Sequence, residues 1–189
     1  AGIDIDAKCK ETYERNNDPA KFIHEDISHF TPAELEHYVT PDGSEVRVER
    51  NDDNLLFIGC SPCQYWSKMR TDKTRSHKSR NLLVDFMRFV VHFKPGHIVI
   101  ENVPGILTRP ESPLSDFLQF LVQNGYENID HGVIKVWEHG VPQTRKRFVL
   151  IASRICKVSL PQPDPDCKNK VVEFIGDPNK FPPIPDGHR

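Results

Sequence analysis

The stretch Leu55-Leu56-Phe57-Ile58-Gly59-Cys60-Ser61-Pro62-Cys63-Gln64 decides how this 189-residue chain is read. Leu55 to Gly59 is a compact apolar run of the kind that forms a buried parallel strand. It opens into a tight turn carrying two cysteines and a proline, where ligands and catalytic groups collect in open α/β sheets. Downstream, Leu82, Leu83, Phe86, Met87, Phe89, Val90 and Phe93 recur at helical spacing, so an amphipathic helix is expected over Arg80 to Phe93, stopped by Pro95-Gly96. His97 to Ile100 is the next strand, Leu114 to Gln123 a helix closed by Asn124-Gly125, and Ile129 to Trp137 and Arg147 to Ala152 further strands. Upstream, Ala1 to Ile5 ends a strand, Ala7 to Asn16 is a polar helix with Cys9 and Tyr13 facing inward, and Lys21 to His24 is a short strand. Thr31 to Asp53 reads as a polar surface excursion turning at Pro41-Asp42-Gly43. Short apolar strands alternating with helices define an open α/β sheet, mostly parallel, with a late antiparallel hairpin.

An apolar content of 37% in 189 residues suits one globular unit. No run approaches the ~20 apolar residues of a membrane span, and Ala1-Gly2-Ile3-Asp4 has no signal-peptide character, so a soluble intracellular protein is expected. Five cysteines, at 9, 60, 63, 156 and 167, suit reduced thiols better than a disulfide scaffold. Charge is uneven although the net value is only -2. Residues 1–53 hold 6 Lys/Arg against 14 Asp/Glu, and residues 64–94 hold 8 against 2. Seven of the 16 prolines fall after residue 160, which marks a change of texture and a boundary between residues 1–160 and 161–189.

Three motifs carry candidate chemistry. Cys60-Ser61-Pro62-Cys63 admits a nucleophile, a small buried cysteine or a redox pair, whereas zinc lacks the second cysteine pair that four ligands need. Glu101-Asn102-Val103 places a carboxylate at a strand end on the same sheet edge. In Gln143-Thr144-Arg145-Lys146-Arg147, an extended backbone would put Gln143, Arg145 and Arg147 on one face, a pair of guanidinium forks suited to phosphate or a carbonyl oxygen. A solvated basic strand end is the alternative for that motif alone.

Together these motifs resemble those of the cytosine-5 DNA methyltransferase family: Pro62-Cys63-Gln64, Glu101-Asn102-Val103 and Gln143-Thr144-Arg145-Lys146-Arg147 stand in that family's order. The 38-residue separation of Cys63 and Glu101, the approach Gly140-Val141-Pro142 and the closing Phe181-Pro182-Pro183-Ile184 extend the resemblance over roughly Ala1 to Gly187. It implies a Rossmann-like sheet of the S-adenosylmethionine-dependent methyltransferase type, incomplete at its first strand. It also implies methylation of carbon 5 of a flipped-out cytosine through a covalent cysteine adduct, in a restriction-modification system.

By the same resemblance, Cys63 is the nucleophile and Glu101 its acid partner, Arg147 meets the cytosine carbonyl oxygen, and Arg145 braces the site or holds phosphate. Asp4 binds the ribose hydroxyls of S-adenosylmethionine beside Ile5, Asp26-Ile27 meets the adenine, and Pro62 borders the cofactor. Gln64, Ser67, Lys68, Arg70, Lys73, Arg75 and Gln143 contact DNA, the basic ones from a segment, Tyr65 to Arg80, that resembles the family's mobile catalytic loop. Double-stranded DNA is the implied partner and the prokaryotic cytoplasm, at the nucleoid, the implied location. The family's glycine-rich opening motif, target-recognition domain and final motif have no counterpart here, so the isolated chain is expected to be inactive, with a complementary polypeptide as one source of the missing parts. Residues 161–189 resemble the lead-in to the target-recognition domain. A transfer RNA methyltransferase, a non-catalytic DNA-binding fragment and a thioredoxin-like oxidoreductase stay open beside this reading.

Overall fold

The computed structural model describes residues 1–60, 82–167 and Val171. In chain order the elements are β1 (Gly2–Asp4), α1 (Lys10–Asn16) behind a 3-10 turn at Ala7–Cys9, β2 (Phe22–His24), α2 (Pro32–Glu36), β3 (His37–Val39), β4 (Glu45–Arg47), β5 (Leu56–Gly59), α3 (Leu82–Phe93), β6 (His97–Asn102), α4 (Leu114–Gln123), β7 (Asn128–Lys135) and β8 (Lys146–Ser153). β5, β6, β8 and β7 form one sheet in that spatial order, while β1–β2 and β3–β4 are separate two-stranded pairs. β1–β2 and β5–β6 pair in parallel; β6–β8 and β7–β8 are antiparallel. The architecture is therefore α/β with mixed sheets, and the expected late antiparallel hairpin is β7–β8.

α3 organises the core because its apolar residues cover more than one stripe. Phe86 and Val90 join Ile98 and Ile100 of β6, Phe117 and Leu121 of α4 and Phe148 and Leu150 of β8 in the larger cluster. Phe89 and Phe93 face the other way, onto Ile23 of β2, Phe30 and Leu35. That second cluster corrects the reading of Thr31 to Asp53 as a mere surface excursion. α2 starts with a capping box, Thr31 accepting the Glu34 N–H while Glu34 accepts the Thr31 N–H. Leu35 is buried and Tyr38, Val46 and Val48 are half-buried against α3's second face.

Two more expectations are corrected. β5 is an outer strand, so only alternate residues turn inward: Phe57 packs on Phe86 and Phe93, while Leu56 and Ile58 are 46% and 63% exposed. Cys9 is exposed because the helix is anchored instead by Tyr13, whose ring meets Phe22. Gly96 does more than end a helix, since a Cβ there would meet the Asp53 carbonyl oxygen at 1.8 Å. Its own N–H donates to Asp52 O at 3.0 Å, tying the start of β6 to the approach to β5. Buried Tyr126 donates its hydroxyl to Pro95 O at 2.7 Å from the far side of the same turn. Among the described residues, no helix is long and apolar enough to cross a membrane.

Candidate active site

The register of three strands builds the site. Gly59 is opposite Ile100, so Cys60 and Glu101 leave the ends of parallel strands side by side. β6 runs two residues further than expected, to Asn102, and places Glu101 opposite Val149 of β8. Residues two apart on a strand share a face, so Arg147 is the diagonal neighbour of Glu101 across the antiparallel pair. Arg147 Nε is 2.6 Å from Glu101 Oε1, and Arg147 Nη1 donates to its neighbour's Lys146 O at 2.8 Å. Guanidinium and carboxylate thus fix each other while both keep part of their surface open. Behind them Asn102 is buried, accepting the Val103 N–H at 2.8 Å, and anchors the end of the strand from which Glu101 projects.

The neighbouring thiol, Cys60, is free and exposed; desolvation by its surroundings, and then the Glu101 carboxylate, hold it above the ordinary thiol range. A thiol kept protonated is a poor nucleophile and a poor attacking member of a redox pair. Pro62, Cys63, Gln64, Ser67, Lys68, Arg70, Lys73 and Arg75 lie outside the described residues. Gln143 and Arg145 are exposed, and the alternation expected to align them with Arg147 does not run through them. Gln143 sits in a bend, its N–H on Val141 O at 2.7 Å, and β8 begins only at Lys146. The left-handed Gly140 (φ 84°) is what lets the chain reverse there.

A second group of expected residues meets at the carboxyl ends of β1 and β2, where Asp4 is opposite His24. His24 Nε2 is 3.0 Å from Ile5 O, which ties the two strand ends together. Asp4 is exposed with Oδ1 on the Asp6 N–H at 2.8 Å, and Ile5 presents an apolar side chain 66% to solvent. Asp26 accepts the Ser28 hydroxyl and N–H, the hydroxyl first among the causes that hold its carboxyl below the usual range. Arg88 of α3 donates to Ile27 O at 2.6 Å and holds that loop. Carboxylate acceptors at both strand ends beside an exposed aliphatic side chain fit the hydroxyls and flat base of a nucleoside.

The end of the β7–β8 hairpin holds a cluster that no sequence motif marks. Trp137, expected in a strand, lies in a 3-10 turn over Val136–His139, between Lys135 and Lys146. Only the pairing register, not the residue types, could have revealed it.

The fold matches solved methyltransferases. A putative DNA modification methyltransferase of an Escherichia coli prophage superposes with a TM-score of 0.60 at 24% identity, covering 80% of this chain and 38% of that one. The Dnmt2 methyltransferase of Schizosaccharomyces pombe gives 0.55 at 20%, covering 84% and 43%. The sequence profile of the C-5 cytosine-specific DNA methylases matches residues 1–177, and the chain belongs to that family. The Type II methylase M.HgiDII of Herpetosiphon aurantiacus is 34% identical over 180 residues, which are 93% of this chain and 47% of that protein. DNA (cytosine-5)-methyltransferase 1 of Mus musculus is 29% identical over 110 residues, 57% of this chain and 7% of that protein. The chain spans less than half the length of these relatives.

Proposed function

We propose that the chain carries the catalytic centre of a type II restriction-modification DNA methyltransferase, which methylates carbon 5 of a cytosine flipped out of double-stranded DNA. The observation that carries this reading is the Glu101–Arg147 pair, at 2.6 Å beside the strand end that leads to Pro62-Cys63-Gln64. In this reading residues 1–160 are the methyltransferase domain, the parallel β1–β2 and β5–β6 pairs are parts of a Rossmann-like sheet, and residues 161–189 lead toward a target-recognition domain. The enzyme works in a prokaryotic cytoplasm, on nucleoid DNA.

Carbon 5 of cytosine is a weak nucleophile until the ring's aromaticity is broken. The Cys63 thiolate does this by adding at carbon 6. A free thiol with a pKa of ~8.5 is mostly protonated at neutral pH, so addition must be coupled to stabilising the charge it creates. Glu101 supplies that coupling: Arg147 grips Oε1, and a proton on Oε2 passes to the ring nitrogen as the thiolate adds and returns to Glu101 as Cys63 leaves, in a geometry preorganised before the base arrives. Arg147's other N–H groups face the cytosine carbonyl oxygen, and Arg145, exposed one step outside, holds phosphate. Asp4 and Asp26 accept from the ribose and adenine of S-adenosylmethionine, with Ile5, Ile27 and Pro62 against its base. When bound, S-adenosylmethionine supplies an electrophilic methyl group. Loss of the proton at carbon 5 to water and departure of Cys63 then restore the ring. Flipping costs a few kcal/mol, offset by phosphate contacts from Gln64, Ser67, Lys68, Arg70, Lys73, Arg75 and Gln143.

The test is transfer of labelled methyl groups by the full-length protein to duplex DNA and, in parallel, to transfer RNA. Label at carbon 5 of cytosine in DNA is expected. Label confined to transfer RNA, or absent from both, overturns the reading.

A further inference from the structure

The β7–β8 ladder ends on a rung of two lysines, Lys135 opposite Lys146. Directly opposed residues leave the same face of a sheet, and like charges there are destabilising. Here both ammonium groups lie 5.8 Å from the centroid of one indole, that of Trp137. That is within the reach of a cation–π contact, which makes Trp137 the support that holds two repelling cations together. Among the described residues one carboxylate serves the pair: Glu138 Oε1 is 2.8 Å from Lys135 Nζ. Asp164 approaches through its backbone, its N–H on Glu138 O at 2.8 Å, but its carboxylate is turned into its own loop, on the Asp166 N–H and the Cys167 thiol. The turn is closed by the Val136 N–H on Arg145 O at 3.1 Å, which sets exposed Arg145 beside the lysines. Arg147, the next residue after Lys146, points to the opposite face and into the Glu101 pair. Among the described residues, cationic charge at the hairpin end therefore exceeds the acids that face it.

We propose that Lys135, Trp137 and Lys146 form a clamp for one phosphodiester of the DNA strand that carries the target base. The clamp lies outside the Glu101–Arg147 pair, on the opposite face of β8 but at the same end of the sheet. Lys146 supplies one ammonium directly, and Lys135 exchanges Glu138 for the phosphate. Trp137 is a positioning residue, acting through the two lysines. A phosphodiester is the occupant because it brings the negative charge that relieves the lysine–lysine repulsion, and because Lys146 directly precedes a residue of the reacting centre. This inference rests on the reading of the protein as a DNA methyltransferase.

Equilibrium binding of the full-length protein to duplex DNA, measured across a salt series, tests it. One lost phosphate contact lowers the log–log salt slope by about 0.9, so Lys135→Gln/Lys146→Gln should flatten the slope by about that amount and weaken binding on the order of tenfold near 50 mM salt. Glu138→Gln should tighten binding by freeing Lys135. Trp137→Phe should keep most of the slope and Trp137→Leu lose part of it, a difference that a purely packing role would not produce. Thermal unfolding of each variant checks that it is folded. If wild type binds DNA and the folded double variant keeps both affinity and slope, the clamp is wrong while the functional reading stands. If wild type binds no duplex DNA, both fall.

Discussion

Arg147 and Glu101 form an ion pair across β6 and β8, with Nε 2.6 Å from Oε1, because Glu101 stands opposite Val149 and so diagonal to Arg147. If they act as one unit, their loss is not additive. Glu101→Gln should slow methyl transfer by a factor of about 100 or more, the range for losing a positioned acid. Arg147→Ala should fall in the same range, and the double variant should be little worse than either. Arg147→Lys should recover only part, for an ammonium lacks the planar fork that grips a carboxylate and still presents donors beyond it. Single-turnover rates of the four variants check this; multiplicative losses would mean two independent roles.

Asp4→Ala should weaken S-adenosylmethionine binding in the full-length protein by on the order of 1 to 3 kcal/mol, the cost of removing a ribose acceptor. Calorimetry reads this directly. An unchanged dissociation constant removes Asp4 from the cofactor site, and with it the reading of the β1–β2 strand ends.

Burial pushes the Tyr126 phenol up to about 12. A phenol in an unfolded chain ionises near ~10. The folded state therefore holds this proton more tightly, so its contribution is complete below about pH 10 and is lost as pH rises toward about 12, roughly 2 to 3 kcal/mol in all. Tyr126→Phe should flatten that alkaline loss in denaturant titrations at a series of pH values. At neutral pH it should cost only about 1 kcal/mol, because Pro95 O keeps the Arg154 Nε donor at 3.2 Å. An alkaline limb identical to wild type would mean that Tyr126 is not the group that titrates.

The elements legible in the sequence are those whose signals are local. α4 has the expected bounds because proline precedes it and Asn124-Gly125, with Gly125 at φ +88°, ends it. β3 and β4 were hidden because their burial depends on Phe89 and Phe93, dozens of residues downstream, and not on their own sparse apolar residues. β5 looked buried because its run is apolar throughout, whereas exposure depends on its place at the sheet's edge. At the site, residue types in order were enough to nominate Glu101 and Arg147. That Arg147 grips Glu101, instead of leaving the bracing to Arg145, follows from antiparallel register, and the Lys135–Trp137–Lys146 cluster is hidden for the same reason.

If Cys63 attacks the cytosine with Glu101 beside it, the covalent intermediate can be trapped on a modified substrate. A duplex whose target cytosine carries fluorine at carbon 5 permits thiol addition and methyl transfer but offers no proton for the final elimination, so the enzyme should stay bonded to the DNA. With S-adenosylmethionine and the full-length protein, a denaturation-resistant adduct is expected, mapping to Cys63 and not to Cys60. Cys63→Ala should abolish it while leaving non-covalent DNA binding largely intact. An adduct that maps to Cys60, or one that survives Cys63→Ala, would contradict the assignment of the nucleophile. A reversible Cys60–Cys63 disulfide with no adduct at all would replace methyl transfer with redox chemistry.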